Sequence, residues 1–190
     1  LYYFHSIFFL PFLCALLILL MYDLYAFSSS TFTLVSFVLF SDGAAASIIS
    51  ATPQGLRLDD CYSHLSLADA DRMTWTVEDQ GFAMTLDVRV PIKIKQFIER
   101  NPTAVGQQLL EPNSDKLWVV HPGGRSIVDA VQAACYLTDA QVEVSRRVLR
   151  NHGNMSSATL MFALKEVLQE ADAVERPGHA VAFGPGLTLE

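Results

Sequence analysis

Four consecutive apolar residues, Leu117-Trp118-Val119-Val120, run directly into His121-Pro122-Gly123-Gly124, and a helical apolar pattern begins immediately afterwards. This junction constrains the fold more than any other stretch. The apolar run reads as a short strand, and Pro-Gly-Gly turns the chain out of it. Over 124–136, Ile127, Val128, Val131 and Ala134 share one helix face. Thr138 is placed to cap the next helix, which runs to Arg150, carries Ser145, Arg146 and Arg147, and is ended by Gly153. Asn154 is expected to cap a third helix through Glu170, buried by Leu160, Met161, Leu164 and Leu168. Glu175-Arg176-Pro177-Gly178 is a turn. Ala180–Phe183 is a strand running into Gly184-Pro185-Gly186. Strands that alternate with helices imply an α/β layered fold.

Upstream the signals are of other kinds. Met73–Val77 and Phe82–Leu86 alternate around Asp79-Gln80-Gly81, which reads as a β-hairpin. Val90–Glu99 is apolar at helical spacing, with Pro91 tolerated in the first turn. Residues 101–116 read as a loop or an irregular helix, and 52–72 as loop-rich. Thr31–Phe40 is β-rich, Ser41-Asp42-Gly43 is a turn, and Ala44–Ser50 reads as a small, buried strand. Residues 6–22 are strongly apolar and nearly long enough to span a bilayer, which takes about twenty residues. Pro11 interrupts them, and no Lys or Arg flanks them. Three readings of residues 1–31 stand side by side: a membrane segment, a non-native translated stretch, or a buried helix. Residues 32–190 form the second unit.

The chain has 190 residues, 51% of them hydrophobic and 17% charged, with 13 basic against 20 acidic side chains and a net charge of -7. An acidic chain without a basic run argues against nucleic acid as a partner. Cys14, Cys61 and Cys135 lie far apart, so no disulfide framework is expected and reduced, cytoplasmic thiols are. Cys61 and His64 have a metal-like spacing. No second pair answers them, and a zinc site needs about four ligands, so neither metal nor cofactor is expected.

His121 and Asn154 are the candidate chemical residues. Each carries an N–H donor at a chain reversal, and two convergent donors suit a developing oxyanion. Functional groups in α/β folds gather at the carboxyl ends of strands, where His121 stands. Taken singly, each has a plain structural alternative: a core histidine and a helix cap.

Taken together, the motifs resemble the chalcone synthase family, the type III polyketide synthases, in their C-terminal half. The matching stretches are Phe40–Ala46, Trp75–Pro91, Val120–Gly124, Ser145-Arg146, Gly153–Ala158 and Phe183–Thr188, in the family's order. The resemblance covers about residues 36–190. It implies the C-terminal half of a thiolase-like fold and a homodimer. It also implies decarboxylative condensation of malonyl-CoA with an acyl starter, with CoA thioesters as substrates and no cofactor. By the same resemblance, His121 and Asn154 would stabilise the enolate oxygen, and His121 would help keep a nucleophilic Cys as thiolate. Phe40 and Met84 would stand as gatekeepers between a CoA tunnel and the cavity. Phe183, Gly184, Pro185 and Gly186 would form the cyclisation loop.

The sequence departs from the family at Ser41 and Ala182, where the family has Gly. The family's nucleophilic Cys lies upstream of the Phe40 motif, and none of Cys14, Cys61 and Cys135 has the expected neighbours. The expectation is an oxyanion half-site without its nucleophile, inactive alone. Two alternatives remain. One is a non-catalytic half-domain that only associates with a full-length protomer. The other is a ketoacyl synthase III, against which His-Pro-Gly-Gly and Asn-Met-Ser-Ser argue.

Overall fold

The computed structural model of the chain describes residues 2–8, 38–53, 55–79, 81–101, 115–170 and 172–190. In chain order the strands are β1 (Tyr2–Phe8), β2 (Ala46–Ser50), β3 (Leu56–Leu58), β4 (His64–Leu65), β5 (Met73–Glu78) and β6 (Gly81–Leu86). Helix α1 (Val90–Arg100) precedes β7 (Leu117–Val120), and α2 (Arg125–Ala134), α3 (Asp139–His152) and α4 (Ser157–Val167) follow it. Three short strands close the order: β8 (Gly178–Val181), β9 (Phe183–Gly184) and β10 (Thr188–Leu189).

β7 is the middle layer. All four of its residues are buried, and the strand period of two sends them alternately to opposite faces. Trp118 and Val120 join a core with Val90, Ile94 and Ile98 of α1 and Ile127, Val131 and Ala134 of α2. Leu117 and Val119 join another with Val144 and Val148 of α3 and Ala158, Ala163 and Val167 of α4. A strand covered on both faces needs apolar residues at every position, which explains the unbroken run. β8 pairs with β7 in parallel, Leu117 opposite Gly178 through Val120 opposite Val181.

The helices are bounded as their sequences dictate. Thr138 and Gln141 form a reciprocal capping box at the start of α3, which satisfies two otherwise orphaned donors. Gly153 ends α3 at φ 72. Pro91 lies in the first turn of α1, where its missing N–H costs nothing. On the surface between α2 and α3, Arg146 reaches Asp129 at 2.7 Å and Gln132 at 2.7 Å.

β5 and β6 form the expected antiparallel hairpin, with Trp75 opposite Met84. Met73 and Leu86 at its base pack on the first core. Arg72, in the 3-10 turn over Leu67–Arg72, binds Asp69 at 2.6 Å and Asp87 at 2.8 Å. Arg89 binds the same Asp87 at 2.6 Å. Both carboxyls are held below their ordinary range, chiefly by the guanidinium beside each.

Several expectations are corrected. β2 is not a buried strand: Ile48 and Ile49 are about half exposed, and its pairing is with β1, antiparallel. Val38 and Leu39 are helical and Phe40 makes a single bridge, so the expected strand over 31–40 does not persist there. Within 52–72 the loop-rich reading gives way to β3, β4 and the 3-10 turn. Helix α4 ends at Val167, and its most buried residues are Ala158, Thr159, Ala163 and Val167 rather than the larger Leu160, Met161, Leu164 and Leu168. Small side chains let the helix lie closest to β7, and the larger ones flank the contact. Of residues 1–31, residues 2–8 are extended and pair with β2 and β3. The remainder of the apolar segment lies outside the described residues, as do 31–37, Cys14 and 102–114. Among the described residues no helix is long and apolar enough to cross a membrane.

Candidate active site

His121 stands one residue beyond β7. Its N–H donates to Val181 at 2.8 Å, which extends the parallel ladder past the strand's last residue. Its carbonyl accepts the Gly123 N–H at 2.9 Å, which tightens the Pro-Gly-Gly reversal. A β-carbon added to Gly123 would stand 3.4 Å from Cδ2 of His121 and 3.5 Å from Nε2. The imidazole therefore lies directly over Gly123. It is 8% exposed, and burial pushes its pKa down to about 4. At neutral pH His121 is an uncharged imidazole with one N–H to donate.

Asn154 reaches the same glycine. Its Nδ2 donates to the Gly123 carbonyl at 3.0 Å. Its Oδ1 accepts the Ser156 N–H at 2.9 Å and lies 3.3 Å from the Thr159 hydroxyl. A backbone carbonyl can only accept and a backbone N–H can only donate, so the amide has one admissible orientation. One of its two N–H protons is used on Gly123.

The expected capping role of Asn154 is thereby corrected. α4 begins at Ser157, its cap residue Ser156 makes no side-chain cap bond, and Ser156 sits at φ 57. The Asn154 side chain holds this left-handed residue instead of a first-turn amide of the helix. Strain of that kind in a non-glycine costs roughly 1–3 kcal/mol and persists where the surroundings impose it. Thr159, which the sequence reading passed over, is fully buried and also donates to Ser156 O at 2.8 Å. Its signal was a hydroxyl at an apolar face of a helix.

The other expected pocket residues converge by named contacts. Asn154 N–H donates to Leu39 O at 3.0 Å and Ser41 N–H donates to Asn154 O at 2.8 Å, so Phe40 is bridged to Asn154. The Phe40 ring meets Trp75 edge-on with centroids 6.0 Å apart, and Trp75 lies opposite Met84 on the hairpin. Phe183 packs on the first core. The Gly186 N–H donates to Met73 O at 2.7 Å, and Thr188 Oγ1 donates to Pro185 O at 2.8 Å. The turn Phe183–Gly186 is thus tied to the base of the hairpin. Gly184 has open space where a β-carbon would point, whereas Gly186, at φ 79, has Leu65 at 2.9 Å.

Neither Ser41 nor Ala182 is among the residues at positive φ, so the side chains at these two departures impose no backbone strain. Ser41 Oγ donates to the His152 carbonyl. Of the described cysteines, Cys61 is exposed and Cys135 is buried in the first core. Burial pushes the Cys135 thiol up to about 12, which leaves it inert as a nucleophile. Among the described residues no group of three or more His, Cys, Asp or Glu side chains could hold a metal ion.

Helices packed on both faces of β7 make a layered α/β fold of the thiolase-like class. Residues 66–190 match the model of the chalcone and stilbene synthases, C-terminal domain, and the chain belongs to that family. It is 33% identical over 172 residues to Type III polyketide synthase A of Arabidopsis thaliana, covering 84% of this chain and 43% of that protein. It is 30% identical over 170 residues to Type III polyketide synthase 21 of Oryza sativa subsp. japonica, covering 84% and 43%. The crystal structure of 1,3,6,8-tetrahydroxynaphthalene synthase of Streptomyces coelicolor A3(2), a bacterial type III polyketide synthase, superposes with a TM-score of 0.76. That likeness holds at 27% identity, over 85% of this chain and 47% of the synthase. The chain spans about half the length of the relatives it matches.

Proposed function

We propose that this chain forms the enolate-stabilising part of a type III polyketide synthase acting on malonyl-CoA. When malonyl thioester loses CO2, the C–C bond to the carboxylate breaks and its electron pair moves into an enolate. The negative charge develops on the thioester oxygen. His121 and Asn154 donate N–H groups to that oxygen. The observation that carries this reading is the amide of Asn154, locked by Ser156 and Gly123, with the neutral imidazole of His121 lying over the same glycine. Donors fixed in a dry site need no reorganisation as charge appears, and removing one typically costs about 3–4 kcal/mol.

Condensation with an acyl starter also needs a thiolate to carry the acyl group. The buried Cys135 and exposed Cys61 do not suit that role, so the acyl-bearing Cys is assigned outside the described residues. Phe40, Met84 and the turn Phe183–Gly186 shape the cavity in which the chain extends and cyclises. Acyl-CoA and malonyl-CoA are the small-molecule partners, and a second copy of the synthase is the protein partner.

Release of labelled CO2 from malonyl-CoA tests the reading. Without its thiolate the half-site is inactive in condensation, but decarboxylation needs no acyl-bearing Cys, so the chain releases CO2 above the buffer background, and H121Q lowers the rate by about two orders of magnitude. Release at background, unchanged in H121Q, favours the other reading, a half-domain that only associates with a complete protomer.

A further inference from the structure

Ser145 is fully buried on α3, and its hydroxyl accepts the Val120 N–H at 3.1 Å. Along one edge of β7 the amides of Leu117 and His121 donate to Pro177 and Val181, on the β8 side. The Val120 amide is one step out of phase with these and faces the opposite edge. Among the described residues no strand pairs with β7 on that edge. The Ser145 oxygen occupies the place of a strand carbonyl. The chain therefore leaves β7 held on both sides at successive residues, Val120 by Ser145 and His121 by Val181.

The neighbouring Arg146 has a separate task, since its guanidinium is taken up by Asp129, Gln132 and Asp139. Ser145 turns inward instead. A serine inside a helix has only modest helix propensity and normally favours caps. At a fully buried position facing a strand, an aliphatic side chain would bury more apolar surface. The hydroxyl answers one specific donor, the N–H of Val120, the residue before His121.

We propose that Ser145 is the positioning residue of His121. By accepting the Val120 N–H it fixes the Val119–Val120 peptide plane, one peptide before the plane that Val181 holds at His121, and through Val120 the angle at which the ring lies over Gly123. This rests on the reading of His121 as an enolate-stabilising donor. Without the hydroxyl, the buried Val120 N–H has no acceptor and the peptide rotates to find one. The ring then swings with it, and a misplacement of about 1 Å at a reacting centre can cost about a hundredfold in rate.

A structural role alone would make Ser145 variants less stable and do nothing else. The test therefore reads the His121 ring directly. The full chain carries 13C-labelled histidine, and H121Q assigns the His121 signal by its loss. The ring's titration midpoint is followed by NMR in the parent, S145A, S145T and V148A. Val148 is buried on the same helix and reports the effect of lost stability alone. The midpoint in S145A is expected to rise by about one pH unit toward the ordinary histidine value. S145T keeps the hydroxyl and restores the parent midpoint, and V148A leaves it unchanged. An S145A midpoint equal to the parent's overturns the proposal, as does an equal displacement in V148A. If S145A does not fold, S145C, whose thiol is a weak acceptor, is measured against the same two outcomes. In the CO2-release assay, S145A lowers kcat about tenfold or more with KM unchanged. A chain without any CO2 release counts against the enolate reading, while the ring titration still decides the role of Ser145.

Discussion

The Asn154 side-chain amide donates to the Gly123 carbonyl at 3.0 Å and so joins the start of α4 to the turn beyond β7. Because Oδ1 faces the Ser156 N–H, the donor end cannot turn away without leaving both the Gly123 carbonyl and the Ser156 N–H without this partner. N154D keeps the shape and places a carboxylate oxygen against a carbonyl. The variant should lose about 3 kcal/mol relative to the parent at pH 7. The introduced carboxyl is held above its unfolded pKa, so the folded state binds its proton more tightly. The deficit then shrinks as the pH falls through the folded value and the acid regains a donor. Urea midpoints at pH 7 and pH 4, each compared with the parent, check this. A gap that widens toward pH 4 would point to a different partner for Asn154.

His121 gives the parent its own pH dependence. Burial lowers the folded pKa from 6.5 to about 4, so between those values the unfolded chain binds a proton that the folded chain refuses. Stability is complete above the unfolded pKa, falls as the pH drops through the window, and levels off near the folded value, a loss of about 3 kcal/mol. Burial lowers His179 too, with Lys116 adding in the same direction. H121Q should therefore remove most of the slope rather than all of it. Denaturation curves between pH 7 and pH 4 measure both.

Cys61 and Cys135 should respond differently to an alkylating agent. The exposed Cys61 is modified in the native chain at neutral pH. Cys135, buried and pushed up to about 12, reacts only once denaturant opens the core. Peptide-level mass spectrometry reads each site separately, and equal rates in native buffer would contradict the placement of Cys135.

Gly153 sits at φ 72, and a β-carbon there would lie 2.7 Å from Ser41 Oγ and 2.9 Å from Ser41 Cβ. G153A should cost about 2 kcal/mol or more, in part from the left-handed backbone and in part from the collision. S41G removes the collision together with the hydrogen bond to His152, a loss the single variant S41G measures, so relative to S41G the double variant should keep only about 1 kcal/mol of the G153A loss. A double-mutant cycle from thermal or urea unfolding measures the coupling, and strict additivity would show that the two residues do not touch.

How far the sequence could be read depended on how local each cause was. The unbroken run Leu117–Val120 was legible as a short apolar strand, and the structure adds the reason, burial on both faces. The Thr138 cap and the helix end at Gly153 are equally local, and each stands where expected, whereas the reciprocal bond from Gln141 was not anticipated. Asn154 looked like a cap because caps are what Asn does before helices. Its actual acceptor and donor roles depend on Ser156 adopting φ 57 and on Gly123 lying 31 residues away in the chain. Nothing in a linear pattern displays either. In α4, Leu160, Met161, Phe162 and Leu164 are all apolar, so periodicity could not choose among faces. The closeness of the helix to β7 decided for Ala158, Thr159, Ala163 and Val167. β2 was misjudged because small apolar residues were equated with burial. His121 and Asn154 were legible as a pair, whereas the glycine that both touch emerged only in three dimensions.

The backbone bridge between Phe40 and Asn154 carries an implication for how such a protein diverges. Leu39 and Ser41 hold the main chain of Asn154 from either side of Phe40. A mutation at position 40 that shifts its backbone is therefore transmitted to position 154, making the two positions mechanically pleiotropic. Met84, opposite Trp75 on the hairpin, is one contact further from that bridge. A change along the hairpin at Met84 therefore reaches position 154 less directly than a change at Phe40, whose backbone is bridged to it.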